Sequence, residues 1–358
     1  MGRFEHGANV YTEDGMRRDL LDFSANLNPL GMPDAVVRAL RDAAGDFGIY
    51  PDPECRALVA ALARHHGVDA AQIVCTAGAS DLIARLCLVV KPENALVAAP
   101  CFSGYEQALE QVGARILRHA LRAEDDFAMT PRILQAFTAD APARPNLVFL
   151  CSPNNPTGLV IDRTLLVHVL RATRETGAIV MLDECFLDFT DEPSAVGLCG
   201  EFPNLVVLRA FTKTYAMAGL RLGYGVCADG GLVARLRAVG APWAVSTPAQ
   251  VAGLAALSEA GWVERSRVYV RCEREALVAQ LVARGLRVVP GQANYLLFQA
   301  PDGLYEPLLE RGILIRRCQN YPGLDDTWYR VAVRTGEENA TLLAALDAAL
   351  SEAKEARR

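Results

Sequence analysis

Lys213 stands in the run Ala210-Phe211-Thr212-Lys213-Thr214-Tyr215-Ala216-Met217-Ala218-Gly219-Leu220-Arg221-Leu222-Gly223, beside a hydroxyl residue and eight positions before an arginine in a Gly-flanked turn. An amine that condenses with an aldehyde needs a depressed pKa, which nearby cations and partial burial provide. A phosphorylated ligand needs an arginine with hydroxyl or backbone donors around it. On its own, a lysine and an arginine on a Gly-punctuated loop would read as surface residues. Two motifs upstream decide against that reading.

The first is Ser152-Pro153-Asn154-Asn155-Pro156-Thr157-Gly158, directly after the apolar run Asn146-Leu147-Val148-Phe149-Leu150-Cys151. It places an Asn-Pro turn at the C-terminal end of a buried strand, where open α/β sheets bind ligands. Asn155 can donate from its amide to a phenolate oxygen there, although Asn-Pro and Thr-Gly are also favoured as plain turn chemistry. The second is Asp183, which ends the apolar strand Ala178-Ile179-Val180-Met181-Leu182. An acid in that place is often a helix cap; it can also pair with a protonated ring nitrogen and keep a heterocycle an electron sink.

Together Asn155, Asp183, Lys213 and Arg221 resemble the signature of the fold-type-I pyridoxal-phosphate aminotransferases and their decarboxylase relatives, over essentially the whole chain. The resemblance implies pyridoxal 5'-phosphate as cofactor, Lys213 as its carrier and Asp183 as the partner of its ring nitrogen. Gly78-Ala79-Ser80, where a strand meets a helix N-terminus, then supplies backbone N–H groups and a hydroxyl to the phosphate, joined by Thr212 and Arg221. Many relatives carry another hydroxyl residue where Ala210 stands. Phe102 matches the aromatic that stacks on the cofactor ring. Tyr50, in Tyr50-Pro51-Asp52-Pro53, matches a residue that reaches the neighbouring subunit's phosphate, which implies a homodimer with shared active sites.

These groups need a sheet to hold them. Short apolar strands alternate with helical stretches from about residue 50 to 250: Ile73–Thr76, a helix opening at 78–80 and running through Val90, Ala95–Ala98, 147–151, 178–182, Leu205–Leu208 and a strand near 224–226. Near-continuous apolar strands separated by helices predict an α/β fold with a mostly parallel sheet covered on both faces. After Pro248 the pattern changes to one long amphipathic stretch, 249 to about 284. Strands at 286–289, 295–298, 313–316 and 329–333 and a closing helix from Glu337 follow, which predicts a smaller α+β domain. The expected division is an N-terminal segment, 1–45, completing the small domain; a large cofactor-binding domain, 46–250; and a small C-terminal domain, 251–358. The charged tail from Glu352 is the one candidate for disorder.

Composition agrees with a soluble enzyme. The apolar fraction is 51%, and a net charge of −6 with no Lys/Arg-rich block argues against nucleic acid and anionic membranes as partners. Ten cysteines include no C-x-x-C pair, and no metal site is expected. The N-terminus has no apolar signal core and no run reaches membrane-spanning length, so a cytoplasmic location is expected. No basic helical extension suits a fused DNA-binding domain, and no G-x-G-x-x-G follows a strand as a nicotinamide enzyme would require.

Cofactor residues do not choose the reaction. Transamination aligns the Cα–H bond with the ring's π system, decarboxylation the Cα–carboxylate bond, so substrate-side residues decide. The stretches His6-Gly7-Ala8-Asn9, 21–31 (Leu21 to Gly31), Ile315-Arg316-Arg317-Cys318-Gln319-Asn320-Tyr321-Pro322-Gly323-Leu324 and Tyr329-Arg330-Val331-Ala332-Val333-Arg334-Thr335 resemble the threonine-phosphate decarboxylases of cobalamin synthesis more than the histidinol-phosphate aminotransferases. Phe186 stands where the aminotransferases usually place a tyrosine. The resemblance implies decarboxylation of a phosphorylated amino acid, with aminotransferase activity as the alternative. It implies Arg334 for the substrate carboxylate, His6 and Arg317 (or Arg316) for its phosphate, and Asn28 among the substrate contacts.

Overall fold

The computed structural model describes residues 7–355. Its main sheet has seven strands in the order Ile73–Thr76, Gly223–Val226, Leu205–Ala210, Ile179–Asp183, Leu147–Cys151, Asn94–Ala99, Arg115–Ala120. Gly223–Val226 alone runs against the others. Period-two geometry sends alternate side chains to opposite faces, and both faces here are apolar. Leu147, Phe149 and Cys151 join one hydrophobic core, while Val148 and Leu150 join a second on the other side. The same split runs through Leu205–Ala210, with Val206 and Leu208 on one face and Leu205 and Val207 on the other. Burial on both faces explains why these strands read as unbroken apolar runs.

Arg115–Ala120 was not legible as a strand. It is an edge strand, half-exposed along its length, with Arg115, Arg118 and His119 interrupting the apolar pattern.

A four-stranded antiparallel sheet, ordered Arg316–Arg317, Trp328–Ala332, Tyr295–Gln299, Arg287–Val288, lies towards the C-terminus. The N-terminal strand Leu21–Asp22 pairs in parallel with Ile313–Leu314. Phe23 then donates its N–H to Leu314 O and accepts from Ala332 N, both at 2.8 Å, so the segment after residue 23 is led in beside the end of Trp328–Ala332.

Three expectations change here. The stretch 249–284 is two helices, Thr247–Ser258 and Trp262–Ala283, broken where Gly261 takes φ 73°. The strand expected over 313–316 is two, because Ile315 separates Ile313–Leu314 from Arg316–Arg317 and each pairs with a different partner. The final helix, Gly336–Glu355, takes in the start of the charged tail as far as Glu355, and Glu352 is ion-paired with Arg311. Among the described residues no helix is long and apolar enough to cross a membrane.

Candidate active site

Three neighbouring parallel strands end together. Cys151 is opposite Asp183, and Asp183 is opposite Leu208, so the turns that follow carry Asn155, Asp183 itself and Lys213 to one edge of the sheet. This is the carboxyl edge where α/β sheets place their ligands.

Lys213 lies in the one-turn helix Phe211–Thr214, its Nζ 5.6 Å from the centroid of the Phe186 ring. Burial lowers its pKa to about 8; the guanidinium of Arg330 adds to the effect, followed by Arg221, while Cys185 and Asp183 oppose it. Near neutrality this amine gives up its proton far more readily than a surface lysine.

Asp183 is buried, and burial raises its pKa against the donors that favour the ionised form. Its Oδ2 accepts from the Tyr105 hydroxyl at 2.7 Å and its Oδ1 from the Cys185 N–H at 2.9 Å. Tyr105 was not foreseen as a site residue. It stacks on Phe149 (5.0 Å, 11°) and meets Phe102 edge-on (5.5 Å, 85°), so a single aromatic cluster orients both the acid and the ring expected over a cofactor. A Cβ at Gly104 would lie 2.3 Å from Phe102 Cε1, so glycine at the start of the helix Gly104–Gln111 makes room for the ring.

Gly78 takes φ +87° and caps the helix Ala79–Val90. A Cβ there would lie 2.7 Å from Arg221 Nη2, and one on Gly223 would lie 2.8 Å from the Gly78 carbonyl carbon. Close approach therefore brings the Arg221 guanidinium against the first amides of the helix, an anion site with Ala79 and Ser80 on its rim. Ser80 is exposed and makes no capping bond, so its hydroxyl is not committed to the helix. Thr212, partly exposed, sits one residue before Lys213.

The substrate side differs from expectation in several places. Arg334 lies beyond the end of Trp328–Ala332; its Nη1 donates to Asp22 O at 3.0 Å and its Nη2 pairs with Glu338. It is a strut between the N-terminal segment and the last helix. Arg330, inside the strand, is buried, donates to Asn155 Oδ1 and at 2.8 Å to Ser24 O, and acts electrostatically on Lys213. Its buried Nε–H meets no acceptor among the described residues. Arg316 is directly opposite Arg330 across the antiparallel pair and shares its face, where it is buried and donates to Asn320 Oδ1 at 2.8 Å. Arg317 is opposite Tyr329 on the other face, turned outward to Glu306 at 2.8 Å and lying 4.2 Å over the Tyr305 ring.

Asn28 is spent on structure, because its Nδ2 donates to Thr214 O and Ser266 Oγ, both at 2.7 Å, and its Oδ1 accepts from Leu30 N. Asn26, two residues earlier, is equally buried and its Oδ1 has no partner among the described residues. An orphaned buried carbonyl costs free energy unless something satisfies it, so of these two asparagines Asn26 is the one with an acceptor not spent on the fold. Tyr50 is 77% exposed and packs on Trp243 at 4.7 Å rather than on these residues. His6 lies outside the described residues.

The carboxyl edge of a mostly parallel sheet, carrying a lysine of lowered pKa, an acid held by a tyrosine and an arginine against a helix N-terminus, defines a class, and sequence comparison agrees. Residues 18–346 match the family model "Aminotransferase class I and II", and the chain belongs to that family. It is 41% identical over 350 residues to a threonine-phosphate decarboxylase of Salmonella typhimurium, covering 95% of each chain. In structure it matches a histidinol-phosphate aminotransferase of Clostridium acetobutylicum (TM-score 0.86, 29% identity, 93% of this chain and 100% of that one). It also matches a histidinol-phosphate aminotransferase of Sinorhizobium meliloti in complex with pyridoxal-5'-phosphate (TM-score 0.84, 25% identity, 94% of this chain and 92% of that one).

Proposed function

We propose that this chain is a pyridoxal-phosphate-dependent decarboxylase of O-phospho-L-threonine, releasing carbon dioxide and the phosphate ester of 1-amino-2-propanol, a cobalamin precursor. The observation that carries the reading is the pair of buried arginines, Arg330 and Arg316, side by side on the face that carries Arg330 to Lys213. Two guanidinium groups suit a substrate with two anionic ends, a carboxylate and a phosphate. The similarity to the Salmonella decarboxylase supports the same reading.

The residues fit the cofactor. The Gly78-Ala79-Ser80 turn with Thr212 and Arg221 would hold its phosphate, Asp183 its ring nitrogen, Asn155 its phenolate oxygen, Phe102 its ring face and Lys213 its aldehyde carbon. When bound, pyridoxal phosphate supplies that aldehyde for the substrate amine and a protonated ring that accepts the electron pair left at Cα when carbon dioxide departs. Arg330 would fix the carboxylate by a bidentate pair, and Arg316 with Asn26 would hold the phosphate end; between them they set which Cα bond stands perpendicular to the ring. Lys213, released from the cofactor and still carrying its proton below its pKa of about 8, would return a proton to Cα. Phe186 contributes no hydroxyl beside the phenolate oxygen and shields that side of the cleft with an apolar ring.

The test is carbon dioxide release from O-phospho-L-threonine by protein saturated with pyridoxal phosphate, with no keto acid present. Sustained turnover is expected. The structural likeness to histidinol-phosphate aminotransferases supports a second reading. It would replace the first if no carbon dioxide appeared and histidinol phosphate instead gave up its amino group to a keto acid.

We further infer a homodimer in which Tyr50 completes the partner's phosphate site. Phe47, Ile49, Tyr50 and Trp243 are all exposed, an apolar patch of the kind that marks an interface. Mixing inactive Tyr50→Ala and Lys213→Ala subunits should then restore about a quarter of wild-type turnover, since half the dimers are mixed and each has one intact site. No recovery after subunit exchange would count against the shared site.

A further inference from the structure

We propose that Arg209, Asp188 and Thr214 form a buried brace that positions Lys213, with Thr214 as its contact residue; the inference rests on the reaction proposed above. Nζ of Lys213 makes no hydrogen bond among the described residues, so nothing at the end of its four-carbon stem fixes the amine. Its placement has to come from the backbone. The Lys213 carbonyl accepts from Asn28 N at 3.1 Å, and the Thr214 carbonyl accepts from Asn28 Nδ2 at 2.7 Å and from the Trp262 indole N–H at 2.9 Å. The Thr214 hydroxyl, fully buried, donates to Asp188 Oδ2 at 2.8 Å.

Asp188 passes this anchor on. Its Oδ1 accepts from Arg209 Nη2, and Arg209 Nη1 donates to Glu184 Oε2 at 3.1 Å. Glu184 is itself held by Ser194 Oγ at 2.6 Å and Ala195 N at 2.7 Å, and directly follows Asp183. One guanidinium on the strand Leu205–Ala210 thus ties the residue after the acid to the residue after the lysine. Both functional side chains are referred to the same rigid point.

Stability alone does not call for this arrangement. An arginine and two carboxylates largely withdrawn from water, with Asp188 the more exposed of the two acids, rarely stabilise a fold more than apolar side chains of the same volume would. The charges are also unequal, one arginine to two carboxylates, and no second cation is added by the nearby histidines. Burial, followed by Arg209, keeps the His66 ring neutral, with its pKa near 3. The hydroxyl of Thr214 is therefore the donor that completes Asp188, and the network exchanges fold stability for fixed geometry around Lys213. A displacement of about 1 Å at a reacting group can cost on the order of 100-fold in rate.

The chain has three lysines, Lys91, Lys213 and Lys354, which makes competitive acetylation with peptide mapping a direct reading of the Lys213 titration in cofactor-free protein. The groups acting on that titration are Arg330, Arg221, Cys185 and Asp183. Thr214→Val keeps the buried volume and removes the hydroxyl. It should move the Lys213 midpoint by about half a pH unit or more and lower kcat about tenfold with KM little changed, about 1.4 kcal/mol in the barrier. Thr214→Ser should restore both quantities, which a packing role would not predict. Asp188→Asn supplies the same comparison if the valine variant does not fold. A Thr214→Val protein that labels and turns over like wild type, whatever its melting temperature, overturns the brace. If wild type releases no carbon dioxide, the proposed reaction falls while the labelling midpoint still tests the brace.

Discussion

Arg330→Gln protein is expected to lose about 100-fold or more in kcat/KM for carbon dioxide release, while Arg334→Gln keeps its kcat within about threefold. Truncating one partner of a buried, hydrogen-bonded charge pair costs about 2–5 kcal/mol, which is roughly 30- to 5,000-fold in rate. Arg330 is buried and donates to Asn155 and Ser24; its Nε–H, like that of Arg334, meets no acceptor among the described residues, so what sets Arg330 apart is its burial inside the strand and its charge acting on Lys213. Arg334 is engaged by Asp22 and Glu338. Its loss should therefore appear in the melting temperature, not in the chemical step. The same substitution at Arg330 carries a second signature. The Arg330 charge, next after burial, lowers the Lys213 pKa, so removing it should raise the titration midpoint of Lys213 above about 8. Arg330→Lys should not rescue the rate, because an ammonium cannot reproduce a bidentate fork. Steady-state carbon dioxide release and acetylation of Lys213 check both parts. Loss confined to Arg334→Gln would return the carboxylate to Arg334.

The contrast between these two arginines shows what can be read from sequence here. Asn155, Asp183 and Lys213 are legible because each follows directly on a buried apolar strand, and consecutive parallel strands necessarily end at the same edge. The chemistry and the geometry are then local to one short motif. Arg330 and Arg334 are four residues apart and read alike; only the end of Trp328–Ala332, two residues before Arg334, separates a residue that acts on Lys213 from one bonded to Asp22 and Glu338. Arg316 and Arg317 are adjacent, and a shift of one residue in strand register would exchange their faces. That register comes from pairing with Trp328–Ala332, a contact made by no local pattern. Asn26 and Asn28 differ by whether distant Thr214 and Ser266 claim the side chain. Tyr105 was hidden differently, since a tyrosine three residues after Phe102 on an apolar helix face reads as core until its hydroxyl is found on Asp183.

Lys213→Ala should abolish the visible absorption that wild type gains with pyridoxal phosphate and should lower carbon dioxide release by about 1,000-fold or more, as loss of a covalent anchor and proton donor together implies. A visible band that survives in the variant would remove Lys213 from its role. The structure also predicts what the lysine costs the fold. Its pKa in the folded chain is about 8 against an ordinary value of 10.5, with burial the first cause. Between these values the unfolded chain holds a proton that the folded chain has released, so stability rises with pH across that window. Below about pH 8 both states are protonated and the full penalty of the buried cation remains. Lys213→Met, which fills similar space without charge, should therefore melt higher than wild type in the absence of cofactor at pH 7. Because the lysine is partly exposed to the cleft, a gain of about 2 °C is the expected scale. The advantage should shrink as pH rises from 8 towards 10.5, where the wild-type amine is neutral in both states. Thermal melts of the two cofactor-free proteins at pH 7 and pH 10 test this directly. A pH-independent difference would mean that packing, not the charge of the amine, sets it. The expected pattern instead ties the depressed pKa that makes Lys213 reactive to a measurable instability at the same atom, because one cause, burial beside Arg330, produces both.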